Sequence, residues 1–242
     1  MIDHLDQIRR DADALAATVS DDTADLPVRA CPDWDLRALA AHMGHIHRWA
    51  RAAVRDGAPP DPEQIERPPE QPDALAQWVR DGAADLVAEL ASVPPGRPVW
   101  HPFPVPLDAA VWPRRQAQET SVHRWDAQDA VGGAEPIAAE LAADGIDEYF
   151  TVMLPRMLQR GAVSLPDAAA PVRVELVDLR GVWTVRAERG QPVLDVASAP
   201  AARVHGSAED VLLVLWGRRD PARLRVDGDR HAAMLWLRLG GN

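Results

Sequence analysis

The sequence predicts an α+β protein: a helical bundle over residues 1–160 and a small α/β domain over residues 171–242. Three observations predict it. Apolar residues recur at helical spacing through the first two-thirds of the chain. After "GAVSLPDAAAP" the pattern changes to apolar–polar alternation. Hydrophobic residues make up 47% of the chain, enough to bury a sizeable core.

Leu5, Ile8, Ala12, Leu15 and Val19 draw the first helical stripe. A second helix starts near Asp35 in "CPDWDLRALAAHMGHIHRWARAAV", because an Asp after the turn-like Cys-Pro-Asp can cap free N–H groups. "APPDPEQIERPPEQP" carries too many prolines to continue a helix and reads as an acidic connection. Leu75, Trp78, Val79, Leu86 and Leu90 mark a third helix, and "VPPGRPVWHPFPVP" is a second, aromatic Pro-rich loop. A fourth helix is expected from about Asp108 to Val131, irregular near Pro113 and stopped by Gly132-Gly133. A fifth is expected from Ile137 to about Arg160, kinked at Pro155. Beyond it, "VRVELVDL" and "VWTVRAE" read as a hairpin joined through Arg-Gly. "PVLDVAS" and "ARVHGS" read as two more strands, "AEDVLLVLWGR" as a helix ending at Gly217, "ARLRVDGD" as a last strand and "HAAMLWLRL" as a terminal helix.

Composition narrows the function classes. Formal net charge is -11 and every basic residue is arginine. Such a surface repels phosphate backbone, so nucleic acid is not an expected partner. The lone cysteine, Cys31, excludes an intrachain disulfide framework and a multi-Cys zinc site. The opening "MIDHLDQIRRDADAL" lacks the apolar run of a signal peptide, and no stretch approaches the ~18 apolar residues of a membrane span. A soluble cytoplasmic protein with no membrane partner is expected.

Chemistry concentrates in "ETSVHRWDAQDA". Glu119 and His123 are four residues apart, which stacks them on one helix face where they can chelate one ion. A third ligand has to come from another helix, and "AHMGHIHRWA" offers His42, His45 and His47. The apolar face of that helix centres on Leu39, Met43, Ile46 and Ala50. At helical pitch His42 lies about 60° from that centre, His47 about 80° and His45 about 120°. His42 is best placed to point inward, and His45 is expected to face solvent. Two His and one carboxylate suit Zn²⁺ with a position left open, and nickel or ferrous iron accept the same set.

"CPDWDLRALAAHMGHIHRWA", "RRQAQETSVHRWDAQDAVG" and "SAEDVLLVLWGR" together resemble, in order and spacing, the mycothiol-dependent maleylpyruvate isomerase family of the DinB-like superfamily. The resemblance implies a DinB-like four-helix bundle followed by a domain similar to sterol carrier protein 2. It also implies a metal triad of His42, Glu119 and His123. Many relatives place a His before the Glu, where this chain has Gln118. Asp126 matches the family's "HRWD" and is expected to orient a ligand or an arginine. Arg218 in "LWGR" matches a recurring position, where an arginine can clamp a carboxylate of substrate or thiol.

The implied cosubstrate is mycothiol, and the implied partner is a small electrophile. A metal-bound thiol is deprotonated and nucleophilic at neutral pH. Attack, rotation and expulsion give cis–trans isomerisation; a retained adduct gives S-transfer; a metal-bound hydroxide gives hydrolysis. A non-catalytic ligand-binding protein with a structural or empty triad is the alternative from another class. Cys31 is expected to be a small packed residue, and Trp34 to anchor the helix start. Trp49 and Trp125 are expected in the core, and His101 in a loop able to cover a site.

Overall fold

The computed structural model describes residues 2–240. The chain forms two compact units, Met1–His101 with Pro106–Pro136, and Pro102–Val105 with Ile137–Asn242. The division after Pro136 corrects the expected bundle limit of 160. The helix that follows packs on a helix of the second unit, and hydrophobic periodicity does not say which partner an apolar face will find.

The first unit is a four-helix bundle: α1 (His4–Ala16), α2 (Leu36–Asp56), α3 (Pro72–Ser92) and α4 (Val111–Ala130). Helices α1 and α2 each pack against both α3 and α4. Ile8, Leu15, Leu39, Met43, Leu75, Val79, Leu86 and Trp112 are buried in this unit. The Asp35 cap is realised: its carboxylate accepts from the Ala38 N–H at 2.7 Å. Gly57, at φ 67°, ends α2 in the left-handed conformation that favours glycine. Gly44 lets α2 and α3 approach, since a Cβ there would run into the Trp78 ring. The irregularity expected near Pro113 does not occur. Pro113 sits in the first turn of α4, where no intrahelical partner awaits its missing N–H. Buried Arg124 ties α4 to α1 through Asp11 at 3.3 Å, and also donates to Gln128 Oε1 at 2.9 Å and to the Glu135 carbonyl.

In the second unit α5 (Ala139–Glu148) runs through a π-helical turn, Tyr149–Met153, into α6 (Leu154–Gln159). Where a kink was expected, a π-helical turn lies just before Pro155, and the Leu154 N–H reaches back to the Tyr149 carbonyl. Strands β1 (Val172–Leu176), β2 (Val182–Glu188), β3 (Gln191–Leu194), β4 (Ala202–Gly206) and β5 (Arg225–Gly228) form one sheet in the order β3-β2-β1-β4-β5. Only the β1–β4 pair is parallel. The tight turn of this sheet joins β2 to β3 at Arg189 and Gly190, both at positive φ. The Arg180-Gly181 pair sits at the end of the longer β1–β2 connection. Helix α7 (Ala208–Leu215) receives α5, and α8 (Arg230–Leu237) packs on β1, β4 and β5. No helix among the described residues is long and apolar enough to cross a membrane.

Candidate metal centre

Two helices of the first unit bring three ligating side chains together. His42 comes from α2; Glu119 and His123 come from successive turns of α4. One ligand atom from each lies within 4.8 Å of the other two. Glu119 Oε1 is 3.4 Å from His42 Nε2 and 3.6 Å from His123 Nε2. The other carboxylate oxygen, Oε2, accepts from Arg115 at 2.8 Å. Arg115 thus fixes the carboxylate and leaves Oε1 to the histidines. His123 is held from its far side, with Nδ1 3.0 Å from Asp126 Oδ2. A carboxylate so placed fixes the orientation of the imidazole and can set its tautomer.

Charge follows from these partners. Burial opposes ionisation of Glu119, yet His123, His42 and Arg115 hold its carboxyl well below the usual range. Burial also opposes charge on His123, but Asp126 and Glu119 outweigh it and raise the imidazole to about 9. The metal-free chain therefore keeps His123 protonated at neutral pH.

The remaining histidines of α2 separate. His45 is half-buried, and burial and His42 lower its pKa. His47 is fully buried, further inside than its helical angle suggested, with Nε2 2.9 Å from Thr120 Oγ1. The Thr120 hydroxyl donates to the Gln116 carbonyl at 2.7 Å, so His47 is the donor and Nδ1 has no partner. Burial pushes this imidazole down to about 3 and keeps it neutral.

Two family models match the chain: the mycothiol maleylpyruvate isomerase N-terminal domain over residues 5–128, and the MDMPI C-terminal domain over residues 140–234. The chain belongs to the mycothiol maleylpyruvate isomerase family. Uncharacterized proteins of Mycobacterium tuberculosis strains CDC 1551 / Oshkosh and H37Rv are 28% identical over 247 residues, covering 94% of this chain and 88% of theirs. Two solved structures share the fold at 13% identity, covering 93% of this chain and 92% of theirs. They are mycothiol-dependent maleylpyruvate isomerase, with a TM-score of 0.63, and a histidine-to-alanine mutant of it, with a TM-score of 0.64.

The other residues matched to the mycothiol maleylpyruvate isomerase family take definite places. Asp126 is 2% exposed and faces His123, so it is not a surface charge. Arg218 lies in the second unit and donates to the Trp216 carbonyl at 2.8 Å. Gln118 is buried. Trp34 does more than anchor the start of α2: its ring centroid lies 4.7 Å from that of His42 and 6.1 Å from that of His123. Trp125 is buried, as expected, whereas Trp49 is only half-buried and packs against Trp100 and Trp112 at 5.6 and 5.7 Å. His101 is buried and bonds the Pro106 carbonyl at 2.9 Å, which makes it a brace within its loop. Sequence reading did not find Arg115 as the partner of Glu119, although its i,i+4 spacing was available.

Proposed function

We propose that this protein is a mycothiol-dependent metalloenzyme acting on a small electrophile, with maleylpyruvate-type cis–trans isomerisation as its reaction. The observation that carries this reading is the convergence of His42, Glu119 and His123. The donor set fits a divalent ion such as zinc: two imidazole nitrogens face one carboxylate oxygen, and Arg115 already occupies the second oxygen. A bound ion with an open position would make a coordinated thiol a thiolate near neutral pH.

The chain's residues serve the chemistry of that thiolate. Asp126 holds the Nδ1 proton of His123 and so directs Nε2 toward Glu119. His123, His42 and Arg115 together keep Glu119 ionised, and Arg115 holds one of its oxygens in place. Trp34 covers the His42 and His123 rings and limits water on that side. The sulfur would add to a double-bond carbon as the electron pair moves onto the conjugated carbonyl oxygen. The former double bond, now single, would rotate, and return of the pair would break the C–S bond and release the same thiolate. The sterol carrier protein 2 likeness of the second unit belongs to this proposal. So does Arg218 as a clamp for a carboxylate of substrate or thiol, and a cytoplasmic location where the thiol is kept reduced.

The test is a thiol-dependent turnover assay on zinc-loaded protein with mycothiol, maleylpyruvate and a panel of electrophiles. Isomerised product with no net thiol consumption supports the proposal. Stoichiometric thiol loss into a stable adduct reassigns the chain to S-transfer. Turnover that persists without thiol reassigns it to hydrolysis.

A further inference from the structure

A second set of ligating side chains meets the first at one residue. Cys31, His123 and Asp126 each offer a ligand atom, and these atoms lie within 4.8 Å of one another. Cys31 does not group with His42 and Glu119, so the two sets share His123 alone. The imidazole presents a different end to each. Its Nε2 is 3.6 Å from Glu119 Oε1, and its Nδ1 is 3.0 Å from Asp126 Oδ2. The chain before α2 supplies the cysteine. The Cys31 N–H donates to the Val28 carbonyl and the Trp34 N–H to the Cys31 carbonyl, at 3.0 and 2.8 Å. This turn lays Trp34 over the imidazoles while it carries Cys31 to the Asp126 side of His123.

We propose that Cys31, His123 and Asp126 form a second cation site, selective for soft, thiophilic divalent ions. The donor chemistry specifies the class. One thiolate, one imidazole nitrogen and one carboxylate oxygen favour zinc or cadmium over magnesium or calcium. A thiolate and a carboxylate also match the charge of a divalent ion. The site is sheltered, with Asp126 2% exposed, His123 9% exposed and Cys31 half-buried. Binding forms metal–sulfur, metal–Nδ1 and metal–oxygen bonds to Cys31, His123 and Asp126, and releases the Cys31 thiol proton and the His123 Nδ1 proton to solvent. It also takes Asp126 away from its hydrogen bond with His123. An ion in the second site therefore weakens the support of the first, and thiophilic metals act as inhibitors through His123. The inference shares His123 with the proposed centre and does not depend on the mycothiol reading.

The chain has one cysteine, which gives the test a clean readout. Cobalt(II) is titrated into the purified protein with no added thiol, and the thiolate-to-cobalt charge-transfer absorption is followed in the near ultraviolet. The band is expected in the wild-type chain and in His42→Ala, which removes a ligand of the first set only. It is expected to vanish in Cys31→Ser and Cys31→Ala, with cadmium affinity lowered at least ~10-fold in both. Circular dichroism of the metal-free variants checks that they fold. Saturated wild-type protein without the band overturns the proposal. So does a band that saturates at half an equivalent as the chain dimerises, since the ion then bridges cysteines of two copies. Failure of the first centre looks different: Cys31→Ser, which keeps only the first set, then binds no cobalt tightly, while the wild-type thiolate band is untouched.

Discussion

Helices α2 and α4 both supply the candidate centre, yet they are built on different rules. The buried face of α2 is Leu36, Leu39, Ala40, Met43, Ala50, Ala53 and Val54, with His47 among them. The buried residues of α4 include Arg115, Gln116, Thr120, Ser121, His123, Arg124, Asp126 and Gln128. Apolar burial places α2, and His42 sits at the margin of its stripe. In α4 charged and polar groups are desolvated, and specific pairings offset that cost: Arg115 with Glu119, His123 with Asp126, Arg124 with Asp11. A helix that buries so many polar groups is held less by its own hydrophobicity than by which partner each group meets. Its sequence is therefore given over to polar pairing in a way that α2 is not.

The contrast can be broken by substitution. The largest effect is expected in α4. Glu119→Ala and His123→Ala should each lower zinc affinity by more than ~100-fold, because losing even an outer partner of a ligand costs about 10- to 100-fold. Calorimetric zinc titration measures this. Arg124→Ala removes the charge partner of buried Asp11, leaving it the Gln7 amide, and should cost about 3–5 kcal/mol in denaturant unfolding of the metal-free protein. Leu39→Ala in α2 should cost about 2–5 kcal/mol by cavity formation and leave zinc affinity unchanged. If Arg124→Ala proves neutral, pairings do not hold α4 and the contrast is lost.

Two smaller effects sharpen it. Asp126→Ala should keep the fold but lower zinc affinity by about 10- to 100-fold, read in the same titration. The pH dependence follows from His123, whose metal-free pKa is raised to about 9 by Asp126 and Glu119 against burial. Zinc must displace a proton from this ring, so apparent affinity should climb by about 10-fold per pH unit and level off near pH 9. Metal-free stability should move the other way. A raised folded pKa stabilises fully below the ordinary histidine value of 6.5, and that contribution fades as pH rises through about 9. Chemical unfolding of the metal-free protein across this range checks the sign.

The two helices also differ in how far the sequence disclosed them. Periodicity located α2 and ranked His42 as the inward ligand. It understated His47, because the angle from an apolar centre says nothing about a Thr120 hydroxyl waiting on another helix. In α4 the Glu119–His123 spacing was legible, since four residues on one helix fix a face. For Asp126 the family pattern suggested a ligand or an arginine as partner, and spacing alone did not say which. Whether a carboxylate one turn on reaches a histidine or solvent depends on burial, which comes from the other helices. Helix α5 was legible as a helix but assigned to the wrong unit, because its apolar face fits α7. The approach of Cys31 to His123 joins residues far apart in the chain, and only the path before α2 reveals it.

The central claim is that α2 and α4, unlike in construction, jointly hold one divalent ion through His42, Glu119 and His123. The most direct test is elemental analysis of protein purified without chelator, for the wild-type chain and for His42→Ala, Glu119→Ala and His123→Ala. A stoichiometric divalent ion is expected in the wild type, and its loss in each of the three variants. A wild-type chain that carries and binds none, or a His42→Ala variant with an undiminished load, contradicts it.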